Sequence, residues 1–435
     1  MADSRPIPEY DDYMKIFLEA DGPLGLSAAE IQSALVKSLE GKKLNKVLLV
    51  PPDFTRFHSN AGFITNTYYH LLKDICEVDI LPALGTHEAM SRAECSEMYG
   101  DIPYEKFIYH NWREDVVEVG RVPREFLEEI TEGLWHEEVV CEVNRLLMDP
   151  AYDLIISIGQ VVPHEVIGMA NHSKNLFVGC GGKRVINSSH MVGAVYGMER
   201  MMGKDHTPVR KILDYGMERF LKDRPILFVL TVTTAPNNVI RTHGLYISEE
   251  RIALDKAIAM SQKMNIDFLD RGINKCVVYL DPKEFKSTWL GNKAVYRTRM
   301  AIADGGELII LAPGITKFGE DQTIDKLIRK YGYSGRLKVL DLFSRNEDLR
   351  QNMGAAAHLI HGSSDGRFKI SYAVKNISQA EVSSVYYNPL DYEETIKKYD
   401  YLKLAPGWNV LSDGEEIFFI PNPALGLWID KNRFN

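Results

Sequence analysis

The chain is 435 residues long, which at about 150 residues per domain predicts two or three domains with a large core. Its 51 Lys and Arg against 60 Asp and Glu give a net charge of −9, and this balance argues against a protein that binds nucleic acid. The first residues contain no basic segment followed by an apolar one, and no apolar run reaches the roughly 18 residues of a membrane span. We therefore expect a cytoplasmic protein with neither nucleic acid nor a membrane as partner.

The first part of the chain alternates between predicted strands and helices. Lys46–Val50 is an apolar strand that ends in Pro-Pro-Asp, and a helical pattern begins near Ala61. A second strand at residues 77–82 leads to a helix that Ser91 opens, with Glu94 three residues later as a capping box. Further apolar strands are predicted at residues 153–159 and 225–232. Continuous apolar runs of this kind favour a sheet covered on both faces.

A second block repeats this pattern after a connecting helix at about residues 248–264. Lys275 begins a strand, a helix follows at about 293–303, and another strand is predicted at 307–311. We place the boundary near residue 270, which gives two α/β domains at 1–270 and 271–435. Residues 409–421 alternate around Ser-Asp-Gly and predict a hairpin, and this final segment could pack back on the first domain.

Polar residues follow two of the predicted strands of the first block. Asp53, Thr55 and Arg56 come after the first strand, and His87 comes after the second, in a Gly-Thr-His turn. Open α/β sheets bind ligands at the carboxyl ends of their strands, so both loops can line one crevice. The structural alternative is that Asp53 and Arg56 only cap a helix and that His87 is a solvated loop residue.

Residues 160–190 form the densest polar segment, with three His, three Lys or Arg and four Gly after one apolar strand. The segment has no His-Glu-x-x-His or Cys-x-x-Cys motif, so no standard metal site is indicated. Gly179, Gly181 and Gly182 would allow a phosphate to approach the backbone closely, although an ordinary turn explains them as well.

Four separated elements resemble the nickel-dependent lactate racemase superfamily. They are Asp53-x-x-Arg56, the Gly-Thr-His87 turn, and Pro-His164 followed ten residues on by Lys174 and twenty-six on by His190. The resemblance implies a two-domain α/β protein with its active site in the interdomain cleft. It also implies a nickel-pincer nucleotide, a pyridinium mononucleotide that carries nickel, supplied by cofactor-biosynthesis proteins.

The resemblance assigns a role to each matching residue. Lys174 would be joined to the nucleotide through a thioamide, and His190 would be the protein's nickel ligand. His87 and His164 would be the acid and base, and Arg56 would hold the substrate carboxylate. The further residues that we expect to contact the cofactor are Asp53, Thr55, Gly179, Gly181 and Gly182.

These residue types suit the inversion of C2 in a 2-hydroxy acid. The C2 hydrogen is poorly acidic beside an ionised carboxylate, so removing it as a hydride avoids a high-energy carbanion. The hydroxyl proton must leave together with the hydride, and histidine, with an ordinary pKa near 6.5, exchanges protons around neutrality. The planar guanidinium of Arg56 can bind a carboxylate through two hydrogen bonds.

The second block departs from lactate racemases, because it lacks their Tyr-Gln-x-x-Lys segment. Trp289, Asn292 and Lys293 stand in that region and are the candidate substrate contacts, unless they only cap or pack the helix. Residues 358–367 predict a polar loop at the cleft, with His361 as a further substrate contact. This half is similar to superfamily members associated with sugar acids, of the gluconate/mannonate 2-epimerase kind.

We therefore expect a nickel-dependent racemase or epimerase that acts on a small-molecule 2-hydroxy acid. The preferred candidate substrate is a sugar acid such as D-gluconate or D-mannonate. One alternative keeps the chemistry with a short acid such as lactate or malate. A second is a lyase or hydrolase with an ordinary divalent metal on the histidine cluster, and a third is a non-catalytic binder. The sequence leaves the oligomeric state open.

Overall fold

The apolar runs of the sequence form two six-stranded sheets in the computed structural model, which describes residues 14–236, 239–424 and 426–434. The strands are β1 (Lys15–Glu19), β2 (Lys46–Val50), β3 (Glu77–Ile80), β4 (Val116–Val122), β5 (Val139–Asn144), β6 (Leu154–Gln160), β7 (Pro163–His164), β8 (Gly168–Met169), β9 (Ile226–Thr234), β10 (Arg241–Ser248), β11 (Asp267–Leu269), β12 (Ile273–Tyr279), β13 (Ile302–Ala312), β14 (Lys369–Val374), β15 (Asn388–Asp391), β16 (Gly407–Val410), β17 (Glu416–Ile420) and β18 (Trp428–Asp430). Residues 1–13 lie outside the described residues. The expectation that the chain begins without a signal segment is based on them.

Helices connect these strands and cover the sheets. They are α1 (Ala28–Lys37), α2 (Ala61–Leu72), α3 (Arg92–Tyr99), α4 (Arg124–Ile130), α5 (Lys183–Tyr196), α6 (Pro208–Phe220), α7 (Ile252–Asn265), α8 (Thr288–Gly291), α9 (Lys293–Thr298), α10 (Gln322–Tyr331), α11 (Arg336–Arg345), α12 (Glu347–Arg350), α13 (Met353–His361), α14 (Gln379–Ser384) and α15 (Tyr392–Lys398). The predicted capping box of α3 is confirmed, because Ser91 and Glu94 each bond the other's backbone amide.

The first sheet has the order β1-β10-β9-β6-β2-β3. Strands β9, β6, β2 and β3 are parallel, whereas β10 and β1 add an antiparallel edge. The interior of β6 is buried on both faces, as its continuous apolar run predicts. Because β2, β3 and β6 are parallel, the loops that follow them leave from one edge of the sheet.

The second sheet has the order β15-β14-β13-β12-β17-β16, with only β16 antiparallel. The hairpin predicted from Ser-Asp-Gly is confirmed as β16 and β17, and it forms part of this sheet. The proposed boundary near residue 270 falls between α7, after the last strand of the first sheet, and β12, the first strand of the second. The mixed α/β class predicted from the sequence is confirmed.

Two local predictions in the second block are wrong. Residues 358–367 do not form a loop throughout, because His358 and His361 lie in α13 and are buried. The helix expected at 293–303 ends at Thr298, since β13 already begins at Ile302. The first prediction was wrong because polar residues in a sequence are usually taken to be exposed to solvent, whereas these polar side chains lie on a buried helix.

The two halves contact each other along α5 and α13. Arg336 donates to the carbonyl oxygen of Val195 at 3.0 Å, and Arg297 donates to that of Pro163 at 3.1 Å. At the end of the described chain, the ring of Phe434 lies 5.6 Å from the ammonium group of Lys204. None of the helices in the described ranges has the length and apolar character that crossing a bilayer requires.

Candidate active site

A cavity of about 420 Å³ lies where the loops after β2, β3 and β6 face α5, α8, α9 and α13. Its walls include most of the residues singled out in the sequence: Asp53, Thr55, Arg56, His87, His164, Lys174, Gly179, His190, Trp289, Lys293 and His361. Side chains from both halves of the chain therefore meet in one concave site, the usual form of a small-molecule site.

Asp53 and His87 form a hydrogen-bonded pair at the carboxyl ends of β2 and β3. Asp53 Oδ2 lies 2.5 Å from His87 Nδ1, and the Thr55 hydroxyl donates to Oδ1 at 2.5 Å. Burial raises the pKa of Asp53, but the contacts with His87 and Thr55 and the charge of Arg56 outweigh it and hold that pKa below its ordinary value. An ionised Asp53 requires His87 to carry its hydrogen on Nδ1, which leaves the Nε2 lone pair available to accept a proton.

Arg56 lies in a short 3₁₀ segment, Phe54–Ser59, that interrupts the chain between β2 and α2. Its backbone departs from helical values, at φ −110° and ψ 30°. Within the described ranges, no carboxylate lies at ion-pair distance from its guanidinium. The side chain lines the cavity, so its fork of donors is available for an anionic ligand.

His164 lies in the β7–β8 hairpin and is buried. Its Nδ1 accepts a hydrogen bond from the Val166 amide at 3.1 Å, so the neutral ring carries its hydrogen on Nε2. Burial holds the pKa of His164 well below its ordinary value. The two candidate acid/base histidines are therefore held in opposite tautomers, by Asp53 in one case and by a backbone amide in the other.

Lys174 follows a strained and tightly held loop. Asn171 and His172 both have positive φ, 68° and 58°, which is uncommon for residues other than glycine. The buried guanidinium of Arg210 clamps this loop, donating to the carbonyl oxygens of Met169 at 2.6 Å and Asn171 at 3.2 Å. The position of Lys174 in the cavity wall is thus set by a rigid backbone.

The environment of Lys174 increases the neutral, nucleophilic fraction of its amine. Burial, assisted by the charge of Arg56, lowers the pKa of Lys174 to about 8. A desolvated lysine of this kind is suited to covalent attachment.

His190 projects from α5 with one ring nitrogen already engaged. Its Nδ1–H donates to the carbonyl oxygen of Ile186 at 2.7 Å, and burial lowers its pKa. A neutral imidazole with a second hydrogen bond of this kind presents Nε2 as a metal ligand. Among the residues that the structure describes, no group of three or more His, Cys, Asp or Glu side chains could hold a metal ion by itself.

Two of the three candidate phosphate-binding glycines lie outside the cavity. A Cβ on Gly181 would meet the carbonyl oxygen of Phe177, and a Cβ on Gly182 would meet the carboxylate of Glu142. That carboxylate also accepts from the Arg184 amide at 3.0 Å and so already caps the N-terminus of α5. These glycines serve close packing, and only Gly179 lines the cavity.

The second half contributes an aromatic and cationic wall. The Trp289 ring lies 4.1 Å from that of His358, which bridges the hydroxyls of Tyr296 and Tyr333 at 2.8 and 3.0 Å. Burial lowers the pKa of Lys293, which lines the same cavity.

Asn292 is a candidate substrate contact that the structure places elsewhere. It is buried behind the wall, where its Oδ1 accepts hydrogen bonds from the hydroxyls of Tyr372 and Tyr387 at 2.7 and 3.0 Å. Asn292 therefore packs against the tyrosines behind the wall and does not face the cavity.

Sequence reasoning missed several residues that line the cavity: Gln160, Glu165, Asn171, Tyr296, Glu320 and His358. Glu165 directly follows His164 in the densest polar segment, so its position was a usable signal. His358 precedes His361 by three residues, which places both on one helix face.

Comparison with known proteins identifies the first part of the chain. Residues 27–202 match the family described as lactate racemase N-terminal domain. A comparison with curated proteins gives no match.

Two solved structures resemble the whole chain. A structural-genomics target from Thermotoga maritima has a TM-score of 0.79 and 26% identity, covering 95% of this chain and 100% of that one. The lactate racemase apoprotein from Thermoanaerobacterium thermosaccharolyticum has a TM-score of 0.68 and 16% identity, covering 93% of this chain and 90% of that one, which shows a shared fold. Residues 27–202 thus match the lactate racemase N-terminal domain, and the chain as a whole has the fold of a lactate racemase apoprotein.

Proposed function

We propose that this protein is an isomerase that inverts C2 of a 2-hydroxy acid with a nickel-pincer nucleotide tethered at Lys174. The observation that carries the proposal is the convergence of Lys174, His190, Arg56, His87 and His164 on one cavity. The match of residues 27–202 to the lactate racemase N-terminal domain supports the same class of reaction.

The donor groups on the cavity wall fit this cofactor. Lys174 offers an amine whose pKa of about 8 gives a larger neutral fraction near neutrality than an ordinary lysine has. His190 offers one nitrogen ligand, while the nucleotide itself would bring the remaining ligands of the nickel. When bound, the nucleotide supplies a pyridinium ring that accepts and returns a hydride. Cofactor-biosynthesis proteins would have to provide it.

The protein's own residues bind the substrate and move its proton. Arg56 binds the carboxylate through its free guanidinium and so fixes the orientation of C2. His87 accepts the hydroxyl proton at Nε2, because Asp53 holds the hydrogen on Nδ1. His164 faces the site from another loop with Nε2–H and donates a hydrogen bond to the C2 oxygen.

A sugar acid such as D-gluconate or D-mannonate is the substrate that we propose. Lys293 and Arg56 line the cavity and favour an anion, and the wall around Trp289, Tyr296 and His361 is rich in polar groups. Such a wall suits a polyhydroxylated chain better than the methyl group of lactate.

The test is intact mass and nickel analysis of the full chain produced together with the cofactor pathway. We expect an adduct that maps to Lys174 and one nickel per chain, and inversion of an aldonate by the loaded protein. Lys174→Ala should lose the adduct, whereas Lys183→Ala, at an exposed lysine at the start of α5, should keep it. An unmodified wild-type chain, or an adduct that persists in Lys174→Ala, would contradict the proposal. Turnover of lactate alone would reassign the substrate to a short acid.

A further inference from the structure

Glu165 presents a carboxylate to the cavity that no proposed role uses. It lies in the β7–β8 turn directly after His164, and its side chain is 26% exposed. Its closest ion-pair distance is 3.9 Å, from Oε2 to His164 Nδ1, which is beyond hydrogen-bond range. In the described part of the chain, no side chain donates a hydrogen bond to it.

The surrounding charges keep this carboxylate ionised. Burial raises the pKa of Glu165, but the positive charges of Arg297 and Arg56 and a hydrogen bond from its own backbone amide hold it far below its ordinary value. An ionised carboxylate only accepts hydrogen bonds. Leaving it in a partly enclosed site with no side-chain donor is costly, so a ligand that brings donors gains affinity there.

A second polar atom without a partner lies on the opposite half of the same cavity. His361, at the end of α13, is 5% exposed, and its Nε2 is buried without a hydrogen-bond partner. Burial lowers the pKa of His361 to about 3, so the ring is neutral and offers one donor and one acceptor. The charge of Glu165 acts on His361, as expected for groups that face one space.

We infer that Glu165 and His361 form a subsite that binds hydroxyl groups of the substrate beyond C2. The inference rests on the proposed function, because Arg56 and the C2 histidines fix which end of the substrate is held. Hydroxyl groups both donate to a carboxylate and exchange hydrogen bonds with a neutral imidazole. An ammonium group is disfavoured, because Arg56 and Lys293 line the same cavity.

This subsite selects polyhydroxylated acids over short aliphatic ones. A methyl group placed against Glu165 would displace water without replacing its hydrogen bonds. A largely enclosed polar group left unpaired costs about 1–3 kcal/mol, which is roughly 5- to 150-fold in affinity. The discrimination therefore comes from the penalty on the wrong ligand as much as from attraction of the right one.

The test measures binding of D-gluconate and of lactate to the full chain by calorimetry, with and without cofactor. We expect D-gluconate to bind the wild type at least about fivefold more tightly than lactate. Glu165→Leu and His361→Phe should each remove most of that ratio by weakening D-gluconate, with lactate nearly unchanged. Glu320→Gln is the matched control, because it removes a carboxylate from the same cavity wall and should leave the ratio unchanged.

Each outcome decides the inference. Equal affinities in the wild type, or parallel loss of both ligands in Glu165→Leu, would overturn it and leave ordered water as the partner of these groups. Glu165→Gln keeps the shape of the side chain and tests the charge if the leucine variant does not fold. Binding is read without turnover, so a chain that discriminates the two acids but carries no adduct at Lys174 would refute the proposed function alone.

Discussion

Asp53 controls the chemistry of His87 at the scale of a single residue, because it fixes the tautomer. Asp53→Asn can present its amide N–H to the ring, which would turn the hydrogen of His87 to Nε2 and remove the acceptor. Since general acid/base catalysis contributes about 10²- to 10⁴-fold, we expect a loss of at least about a hundredfold in kcat. Racemisation assays measure the rate, and nitrogen NMR of the ring reports the tautomer.

The control for Asp53→Asn is Thr55→Val, which removes one hydrogen bond from the carboxylate but keeps its charge. We expect this variant to stay within about tenfold of the wild type, since one neutral hydrogen bond contributes about 1 kcal/mol. Asp53→Asn with full activity and an unchanged tautomer would mean that this pair only stabilises the loop.

The amine of Lys174 gives a prediction about pH. Its pKa of about 8 means that the neutral, reactive form is half populated near pH 8 and is lost as the pH falls below that value. An ordinary lysine becomes neutral only above about pH 10. Amine labelling of the cofactor-free chain, followed by peptide mapping, should show Lys174 reaching half of its maximal rate near pH 8.

The exposed Lys183 provides the internal reference for this labelling, since both lysines are read from one digest. If Lys174 reacted with the same pH dependence as Lys183, the desolvation argument would be refuted.

Sequence and structure agree best for residues at strand ends. The positions of Asp53 and His87 followed from two parallel strands whose loops leave one edge. Asn292 could not be predicted, because rotation about a short helix decides whether a side chain faces the cavity or the tyrosines behind it. The sequence could not place Gly181 and Gly182 either, since close packing and ligand approach require the same residue type.

At the scale of elements, the loop between β8 and Lys174 depends on Arg210. This guanidinium is 1% exposed, holds the loop carbonyls and also donates to the Ser173 hydroxyl at 2.8 Å. Arg210→Met would remove those donors while filling a similar volume. We expect a loss of about 3–5 kcal/mol in stability, typical of breaking a buried charged network.

Denaturant unfolding measures the stability of Arg210→Met, and adduct formation at Lys174 measures the geometry of the loop. Ser173→Ala is the milder variant: it removes one contact of Arg210 and should lose less stability while still forming the adduct. Adduct formation by Arg210→Met at the wild-type rate would show that the clamp does not position Lys174.

Helices and strands were predictable where the apolar pattern was simple. The strand β6 and the capping box of α3 follow directly from local sequence. Helix α13 did not, because its two histidines are buried by contacts from α5 and from the aromatic wall, which lie far away in sequence. Tertiary burial therefore overrode the polar pattern.

At the scale of the whole molecule, the site exists only because two halves meet, and polar contacts hold them together. Glu199 of the first half accepts a hydrogen bond from Arg299 Nε of the second half at 3.0 Å. Arg299 also donates to the carbonyl oxygens of His361 and Ser363 at 3.3 and 3.1 Å. The order of strands and helices along the chain predicts two sheets. It does not predict the contact between Glu199 and Arg299, because a single polar contact between distant segments leaves no periodic pattern in the sequence.

The pairing predicts that Glu199 couples stability to ligand affinity. Glu199→Gln would leave the nearly buried Arg299 without its closest counterion and loosen the segment that carries His361. We expect a loss of about 1–3 kcal/mol in stability, the cost of an unsatisfied buried group, and weaker D-gluconate binding. Glu132→Gln is the matched control, because Glu132 pairs with Arg200 on the exposed surface of the first half, where ion pairs contribute little. Thermal unfolding and calorimetry on both variants test this: equal behaviour of the two variants would show that the Glu199–Arg299 pair does not help to hold the halves together.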